Sequence, residues 1–368
     1  MVTVHSSHDV IVLGGGAIGA ACARELASTG RKVLILEAGG DMGQAWRAAA
    51  GMLAPQIEGD ASDPLLRLGI IARDHYNQLA AQLAESVGID VGLWQDGIAR
   101  VAGTPEEVQE LSAKVEWQQQ QGYQCDWLDS AEVRRRWPWL GPTAGALWAP
   151  RDGALDPTRL VEALLADAGR LGVEVASDRG LNLLKEGGSI RGVAGESRSY
   201  PAGNVVLAAG AWSGLLEGLP RPVPVRPVRG QMAALPWPPE IARAIVYHKD
   251  SYILARGGEA IIGSTMEEAG FQAEVTSAGL ARIFGATVAL CPSLVRAKVR
   301  RTWAGLRPMT PDGSPIIGSE PLLKGLWYAT GHGRNGILLA GITGVLLRQL
   351  VNGDSTAVGL EAFRADRF

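Results

Sequence analysis

The chain has 368 residues, 46% of them hydrophobic, with 35 basic and 38 acidic side chains and a net charge of −3. The sequence has neither an excess of basic residues nor a basic tail that could bind a phosphate backbone, so we do not expect a nucleic-acid partner. The length suits a large core divided between two interlocked domains.

The cysteines and the N-terminal residues bear on compartment and metal content. Cys22, Cys125 and Cys291 are far apart and show no C-x-x-C spacing, which argues against a disulfide framework and a zinc site. The first residues run directly into a glycine loop and lack the pattern of a signal peptide. No uncharged apolar run reaches the roughly 20 residues of a membrane span. We therefore predict a cytoplasmic protein with no metal and no membrane partner.

Residues 9–37 predict a dinucleotide-binding βαβ unit. An apolar strand, an alanine-rich helix and a second apolar strand follow one another, and the pattern G-x-G-x-x-G separates the first strand from the helix. Gly14 makes the turn, Gly16 lets a pyrophosphate approach the backbone, and Gly19 lets the helix pack on the strand. Glu37 ends the second strand, where it can accept the ribose hydroxyls. This acid excludes NADP but does not separate NAD from FAD.

The segment 38–55 favours FAD over NAD. It is rich in glycine and alanine and stands where a nicotinamide dehydrogenase would begin a crossover helix. We expect residues 48–51 to let the backbone pass close to a flat ring system.

Later segments complete the predicted fold. Residues 156–172 predict a helix with Asp156 as its N-cap, followed by a strand at 173–176 that joins the N-terminal parallel sheet. Near the C-terminus, 326–353 predict a strand, a glycine-rich turn and a long helix. Further helices are predicted at 62–87 and 104–121, and antiparallel strands in the stretches 92–103, 228–237, 244–265 and 297–306. The fold class is α/β, a Rossmann-like FAD-binding domain (1–60, 150–217 and 300–368) with a second, largely antiparallel-sheet substrate domain (61–149 and 218–299).

Eight blocks spread over the chain resemble the FAD-dependent D-amino acid oxidase family, in particular its glycine oxidases. The blocks are GGGAIG (14–19), Glu37, AAAGM (48–52), AAGAWS (208–213), SYILAR (251–256), GSTM (263–266), WAGLRP (303–308) and GHGRNGILL (331–339). The resemblance implies non-covalent FAD, since the matching loops at 44–50 and 301–340 hold no cysteine and no histidine except His332. It also implies a homo-oligomer.

The same resemblance assigns residues to FAD. They are Gly14, Gly16, Ala17, Ile18 and Gly19 at the pyrophosphate, Glu37 and Ala38 at the ribose, Ala45, Trp46, Ala50, Gly51 and Met52 on the flavin side, Leu181 at the adenine, and His332, Gly333, Arg334, Asn335, Gly336, Ile337 and Leu338 around the isoalloxazine.

The implied reaction is oxidative deamination of glycine and small amines, with O₂ reduced to H₂O₂ and a link to thiamine biosynthesis. By resemblance Arg307 holds the substrate carboxylate, Tyr252 is its hydroxyl partner, and Arg334 is a second arginine near the substrate. A planar guanidinium matches a carboxylate in two hydrogen bonds, which suits Arg307 to this task. Met52 and Met266 are expected to line the pocket. The sequence departs from glycine oxidases at Asp250, where relatives can carry a histidine, which puts the polarity of the pocket rim in doubt.

Two alternatives to a soluble oxidase remain at this stage. The first is an FAD-dependent amino acid dehydrogenase that passes electrons to a quinone or a partner protein, for which we see no membrane helix or docking patch. The second is a flavin domain that acts on a modified tRNA base, which the net charge of −3 disfavours. The sequence does not rank glycine, sarcosine and small D-amino acids.

Overall fold

The computed structural model describes residues 8–40, 43–60, 63–239, 241–249 and 251–368. Over these residues the strands are, in chain order, β1 (His8–Leu13), β2 (Val33–Glu37), β3 (Met52–Leu53), β4 (Ile98–Ala102), β5 (Asp126–Asp129), β6 (Gly145–Ala149), β7 (Gly153–Ala154), β8 (Glu174–Ser177), β9 (Gly180–Glu186), β10 (Ser189–Gly195), β11 (Ser199–Leu207), β12 (Arg226–Pro236), β13 (Ala244–His248), β14 (Ser251–Arg256), β15 (Glu259–Gly263), β16 (Arg301–Met309), β17 (Ile316–Ser319) and β18 (Leu326–Thr330).

The helices of the described residues are α1 (Ala17–Ala27), α2 (Ala45–Ala48), α3 (Pro55–Glu58), α4 (Pro64–Val87), α5 (Pro105–Gln120), α6 (Ser130–Arg136), α7 (Pro157–Arg170), α8 (Ser277–Leu290) and α9 (Gly336–Asn352). None of them combines the length and the apolar character that a membrane-crossing helix needs.

The first sheet has a parallel centre in the order β18-β11-β1-β2-β8, and β17 adds an antiparallel edge. Apolar side chains of β1 and β2 are buried on both faces, as expected for a parallel sheet covered on each side. One face packs on α1, α7 and α9, with α4 behind them. On the other face, apolar side chains of the antiparallel hairpin β9–β10 pack against those of β1, β2 and β11, and β10 pairs with β11.

The second sheet runs in the order β16-β12-β15-β14-β13-β4-β6-β5 and is antiparallel except where β13 meets β4. Helix α8 packs on one face. The opposite face carries Met232, Tyr247 and Tyr252 and lies against residues 50–57. The second sheet therefore presents these side chains toward the segment that we predicted to flank a flavin.

The structure confirms the two-sheet α/β fold class, the helix capped by Asp156 and the strand that follows it. Helix α8, helix α6 and the β5–β6 and β9–β10 strands were not predicted. Strand β16 lies in the segment 300–368 that we assigned to the FAD-binding domain, yet it pairs with β12 of the second sheet. The division into domains stays a prediction.

Candidate active site

A cavity of about 720 Å³ is lined from both sheets. Its walls come from the glycine loop after β1, the end of β2, the segment 44–54, strands β12, β14 and β16, and the turn before α9. Pockets of this size commonly bind cofactors or substrates. The cavity therefore brings the predicted dinucleotide loop and the predicted substrate residues into one space.

The glycine loop has the geometry that the sequence predicts. Gly14 has a φ of +101°, and a Cβ on Gly19 would lie 1.8 Å from the Gly14 carbonyl oxygen. Side chains at these positions would block the turn or push α1 away from β1. At the end of β2, Glu37 accepts a hydrogen bond from the Gly15 N–H at 2.5 Å. The acid is thereby fixed at the edge of the loop.

Two of the longer helices, α1 and α9, begin at this cavity without a side-chain cap. Neither Gly16 before α1 nor Asn335 before α9 caps its helix through the side chain. The first residues of both helices line the cavity. The first N–H groups of a helix lack partners within it and carry a partial positive charge. The cavity thus offers two places for electron-rich oxygens.

The segment 43–48 is held against β16. The Leu306 N–H donates to the Gly43 carbonyl at 2.9 Å, and Trp303 Nε1 donates to the Ala48 carbonyl at 3.2 Å. A Cβ on Gly305 would come within 2.4 Å of the Ala48 Cβ. Close packing at a glycine strand position therefore fixes this wall of the cavity. Within this segment Ala45–Ala48 form a single helical turn.

Arg307 projects from β16 and is partly buried. Its Nη1 donates to the Thr265 carbonyl at 3.1 Å and its Nη2 to Ser264 Oγ at 2.8 Å. No carboxylate of the described residues forms an ion pair with it. Burial lowers the pKa of Arg307, although an arginine remains protonated in proteins. This guanidinium is a desolvated cation whose described partners are neutral, and an anion would stabilise it.

Tyr252, on β14, lines the same cavity as Arg307. Its hydroxyl donates to Met232 Sδ at 3.1 Å, which is a weak acceptor. Burial raises the pKa of Tyr252 well above its usual value. The phenol therefore stays a neutral donor that can turn to a better acceptor in the cavity.

Arg334 has a different environment. Its Nη2 donates to Glu58 Oε1 at 2.9 Å, and the Tyr247 hydroxyl donates to the same oxygen at 2.9 Å. The negative charge of Glu58 raises the pKa of Arg334, against the opposing effect of burial. The second predicted arginine is therefore already paired with a carboxylate of the chain.

Comparison with known proteins decides the family. The family model described as FAD-dependent oxidoreductase (DAO) matches residues 9–350. The chain belongs to the DAO family of FAD-dependent oxidoreductases.

Individual relatives agree with this assignment. The chain is 34% identical to the glycine oxidase of Geobacillus kaustophilus, covering 98% of this chain and 97% of that protein. The crystal structure of glycine oxidase from that species matches with a TM-score of 0.94 at 33% identity, over 99% of this chain and 100% of the other. The hydrogen cyanide synthase subunit HcnC of Pseudomonas aeruginosa is 31% identical over 99% of this chain and 97% of its own length.

A fusion protein is also similar. The bifunctional protein ThiO/ThiG of Synechocystis sp. is 32% identical over 99% of this chain. The match covers 55% of that protein, so this chain spans about half its length.

The cavity of this DAO-family protein fits FAD. The glycine loop admits a phosphate close to the backbone, the uncapped α1 terminus favours its charge, and Glu37 lines the same end of the cavity. At the other end the uncapped α9 terminus and the segment 44–52 face the same space. The buried Nδ1 of His332, which lines the cavity, has no hydrogen-bond partner among the described residues.

Most residues predicted for the site are brought together. The lining includes Gly14, Gly16, Ala17, Ile18, Glu37, Ala38, Ala45, Trp46, Ala50, Gly51, Met52, Leu181, Tyr252, Arg307, and His332 to Ile337. Gly19 and Leu338 lie behind this lining, Gly19 against Gly14 and Leu338 in the core beneath α9. The cofactor contacts of all these residues stay predictions.

The prediction that Met266 lines the pocket is wrong. Its side chain is 46% exposed and does not contribute to the cavity. Backbone hydrogen bonds pair Glu267 with Arg229, and Met266 is turned outward just before this pairing. Asp250, the departure from the family pattern, lies outside the described residues.

Sequence reasoning missed Glu58, Tyr247, Ser264 and Gly230. A Cβ on Gly230 would meet Arg307 Nη1 at 2.0 Å, so this glycine makes room for the guanidinium. A signal for Glu58 in the sequence is its place as an acid shortly after the segment 38–55. Ser264 lies within the block GSTM (263–266), of which only Met266 was predicted to line the pocket.

Proposed function

We propose that this protein is an FAD-dependent oxidase of glycine and similarly small amino acids. The observation that carries the proposal is Arg307, a desolvated cation without a described anionic partner, in the cavity that also holds the dinucleotide loop. Similarity to glycine oxidases over nearly the whole chain supports it.

In this proposal the glycine loop, the α1 terminus and Glu37 hold the nucleotide part of FAD. Ala45, Trp46, Ala50 to Met52 and the turn His332 to Ile337 surround its flavin, and no side chain is attached to it covalently. When bound, FAD supplies the two-electron acceptor and its reoxidation by O₂, so that glycine, O₂ and water give glyoxylate, ammonia and H₂O₂.

The protein positions the substrate for oxidation. Arg307 holds the carboxylate through its planar fork, and Tyr252 donates a further hydrogen bond to it. Because the carboxylate is held at a fixed place, the Cα–H bond is oriented toward the flavin side, and this orientation lowers the barrier to its cleavage. Burial lowers the pKa of His332 to about 3, so this imidazole stays neutral. We assign no side-chain general base, because the substrate amine need only be neutral when the Cα–H bond breaks.

The product suggests a biological role. An imine formed from glycine hydrolyses to glyoxylate, and we propose that it also serves thiazole formation in thiamine biosynthesis. The ThiO/ThiG relative supports this link.

The test is consumption of O₂ by the purified flavoprotein in air with glycine. We expect H₂O₂ in amounts equal to the glycine consumed, similar or lower rates with sarcosine and small D-amino acids, and poor rates with D-phenylalanine. The second candidate is a dehydrogenase that passes electrons to a quinone or a partner protein, and the HcnC relative, which is named as a subunit of a larger enzyme, is the reason to test it. Turnover that appears only with an added dye acceptor, and not with O₂, would replace the oxidase by that candidate.

A further inference from the structure

Arg307 and Arg334 both line the cavity, but their charges are balanced differently. The described hydrogen bonds of the Arg307 side chain go to Ser264 and to the Thr265 carbonyl. Arg334 is paired with Glu58 at 2.9 Å. The three charged groups therefore sum to one positive charge, which is the complement of a single substrate carboxylate.

Glu58 is held in place by a buried network. It ends the short helix α3, in which the Gln56 N–H donates to Asp152 Oδ2 at 3.1 Å. Arg73 donates to Asp152 Oδ1 at 2.8 Å and to Gln56 Oε1 at 2.6 Å. Gln118 adds bonds to the side chain and the carbonyl of Gln56. Arg73 is only 2% exposed and Asp152 0%, so moving α3 would break hydrogen bonds that water does not replace.

Tyr247 restricts the Glu58 carboxylate further. Its hydroxyl donates to Glu58 Oε1 from the second sheet, while Arg334 donates to the same oxygen from the turn before α9. Glu58 is thus fixed from three directions: its own helix, the second sheet and the first sheet's C-terminal turn. Such a carboxylate acts as a fixed negative charge inside the cavity.

We propose that Glu58 is a specificity-determining residue that neutralises Arg334, so that the cavity accepts amino acids with one carboxylate and rejects those with a second anionic group. The inference rests on the proposed binding of the substrate carboxylate by Arg307. A second anion that approached Arg334 would find its charge already compensated and would be repelled by Glu58.

The size of this effect is limited by solvent. The Arg334 side chain is 44% exposed and that of Glu58 19%, so water screens their interaction with a ligand. We therefore expect discrimination of no more than about tenfold.

The experiment uses the flavin-loaded protein and two ligands that cannot be oxidised as amines, acetate and malonate. Binding is followed by the change in flavin absorbance, which needs no turnover. Glu58→Gln should raise the affinity for malonate relative to acetate by about tenfold. Glu58→Ala removes the same charge and replaces the first variant if that one fails to retain flavin. Glu58→Asp keeps the charge and should stay close to the wild-type ratio.

A matched control removes a glutamate outside the cavity. Glu259 pairs with Arg300 and Arg301 on the surface, and Glu259→Gln changes the net charge by the same amount. Its malonate-to-acetate ratio should equal that of the wild type.

The two proposals can fail separately. If acetate binds and Arg307→Ala weakens it, but Glu58→Gln and Glu58→Ala leave the ratio unchanged, Glu58 is not the specificity determinant. If Glu259→Gln shifts the ratio as much as Glu58→Gln, the effect comes from net charge and the inference is also wrong. Acetate binding that does not depend on Arg307 would instead overturn the carboxylate clamp.

Discussion

A charged or polar side chain that loses water in a cavity is stabilised only if other polar atoms replace that water. Arg334 has such a partner in Glu58, whereas the described partners of Arg307 are neutral oxygens and Tyr252 donates to a sulfur. A carboxylate in the cavity would thus improve the hydrogen bonding of both Arg307 and Tyr252. This difference in partners, rather than residue type, separates the proposed clamp from the second arginine.

Tyr252→Phe tests the smaller of the two contributions. Loss of the hydroxyl should lower kcat/KM for glycine roughly 10- to 150-fold, because a hydrogen bond to a charged group contributes about 1.5–3 kcal/mol. Tyr123→Phe, on the loop that follows α5, is the control and should match the wild type. Wild-type kinetics in Tyr252→Phe would show that this hydroxyl does not contact the substrate.

At the scale of elements, the pairing of β12 with β16 builds the substrate end of the cavity. Gly230 and Gly305 lie opposite each other in this pair, and Arg307 follows Gly305 by two residues on the same face. Gly230 leaves space for the guanidinium, and Gly305 leaves space for Ala48. These two paired glycines therefore make room for the Arg307 side chain and for the helical turn that contains Ala48.

Gly230→Ala should displace the clamp without removing its charge. The new Cβ would lie 2.0 Å from Arg307 Nη1, and the paired strand cannot easily move away. We expect kcat/KM for glycine to approach that of Arg307→Ala, while flavin absorbance is retained. Gly285→Ala is the control, because a Cβ there meets open space within α8. Normal activity in Gly230→Ala would mean that the guanidinium tolerates a shift that we regard as disabling.

How far the sequence predicts this molecule depends on how local each feature is. The glycine loop, Glu37 and the Asp156 cap were predictable because turn chemistry and strand periodicity act over a few residues. Arg307 and Tyr252 came from resemblance to a family. Glu58, Tyr247 and Gly230 were missed, because their roles arise when α3, β13 and β12 meet in space. Met266 failed for the same reason, since the pairing of Glu267 with Arg229 decides which way its neighbour points.

At the scale of the whole molecule, the proposed FAD site joins segments that are distant in the chain. The cavity is lined by the loop after β1, by β14 and β16 and by the turn before α9. A ligand that binds only the folded state stabilises it in proportion to the logarithm of its concentration over Kd. Cofactor content and global stability should therefore be linked.

Acid precipitation should release all the flavin into the supernatant. Among the described residues that line the cavity there is no cysteine and one histidine, His332, to which we assign a non-covalent contact. Adding FAD back to the apoprotein at 100 times its Kd should then raise the free energy of unfolding by about 2.7 kcal/mol, measured as a higher Tm. Yellow colour that remains in the pellet would contradict non-covalent binding.

The central claim is that Arg307 binds the substrate carboxylate, and the most direct measurement compares glycine with glycine methyl ester in Arg307→Ala. Removing one partner of a desolvated charge pair costs about 2–5 kcal/mol, so kcat/KM for glycine should fall roughly 30- to several-thousand-fold, while the ester is much less affected. Arg307→Lys should recover only part of the loss, since a point charge cannot reproduce the planar fork.

Arg226→Ala, an exposed arginine on the neighbouring strand that pairs with Glu268, is the control and should leave both substrates unchanged. We predict that Arg307→Ala keeps the wild-type flavin spectrum and Tm while it no longer distinguishes the carboxylate from the ester. Equal losses for glycine and its ester, or loss of FAD, would show that Arg307 is structural and that the clamp lies elsewhere, at Arg334 first of all.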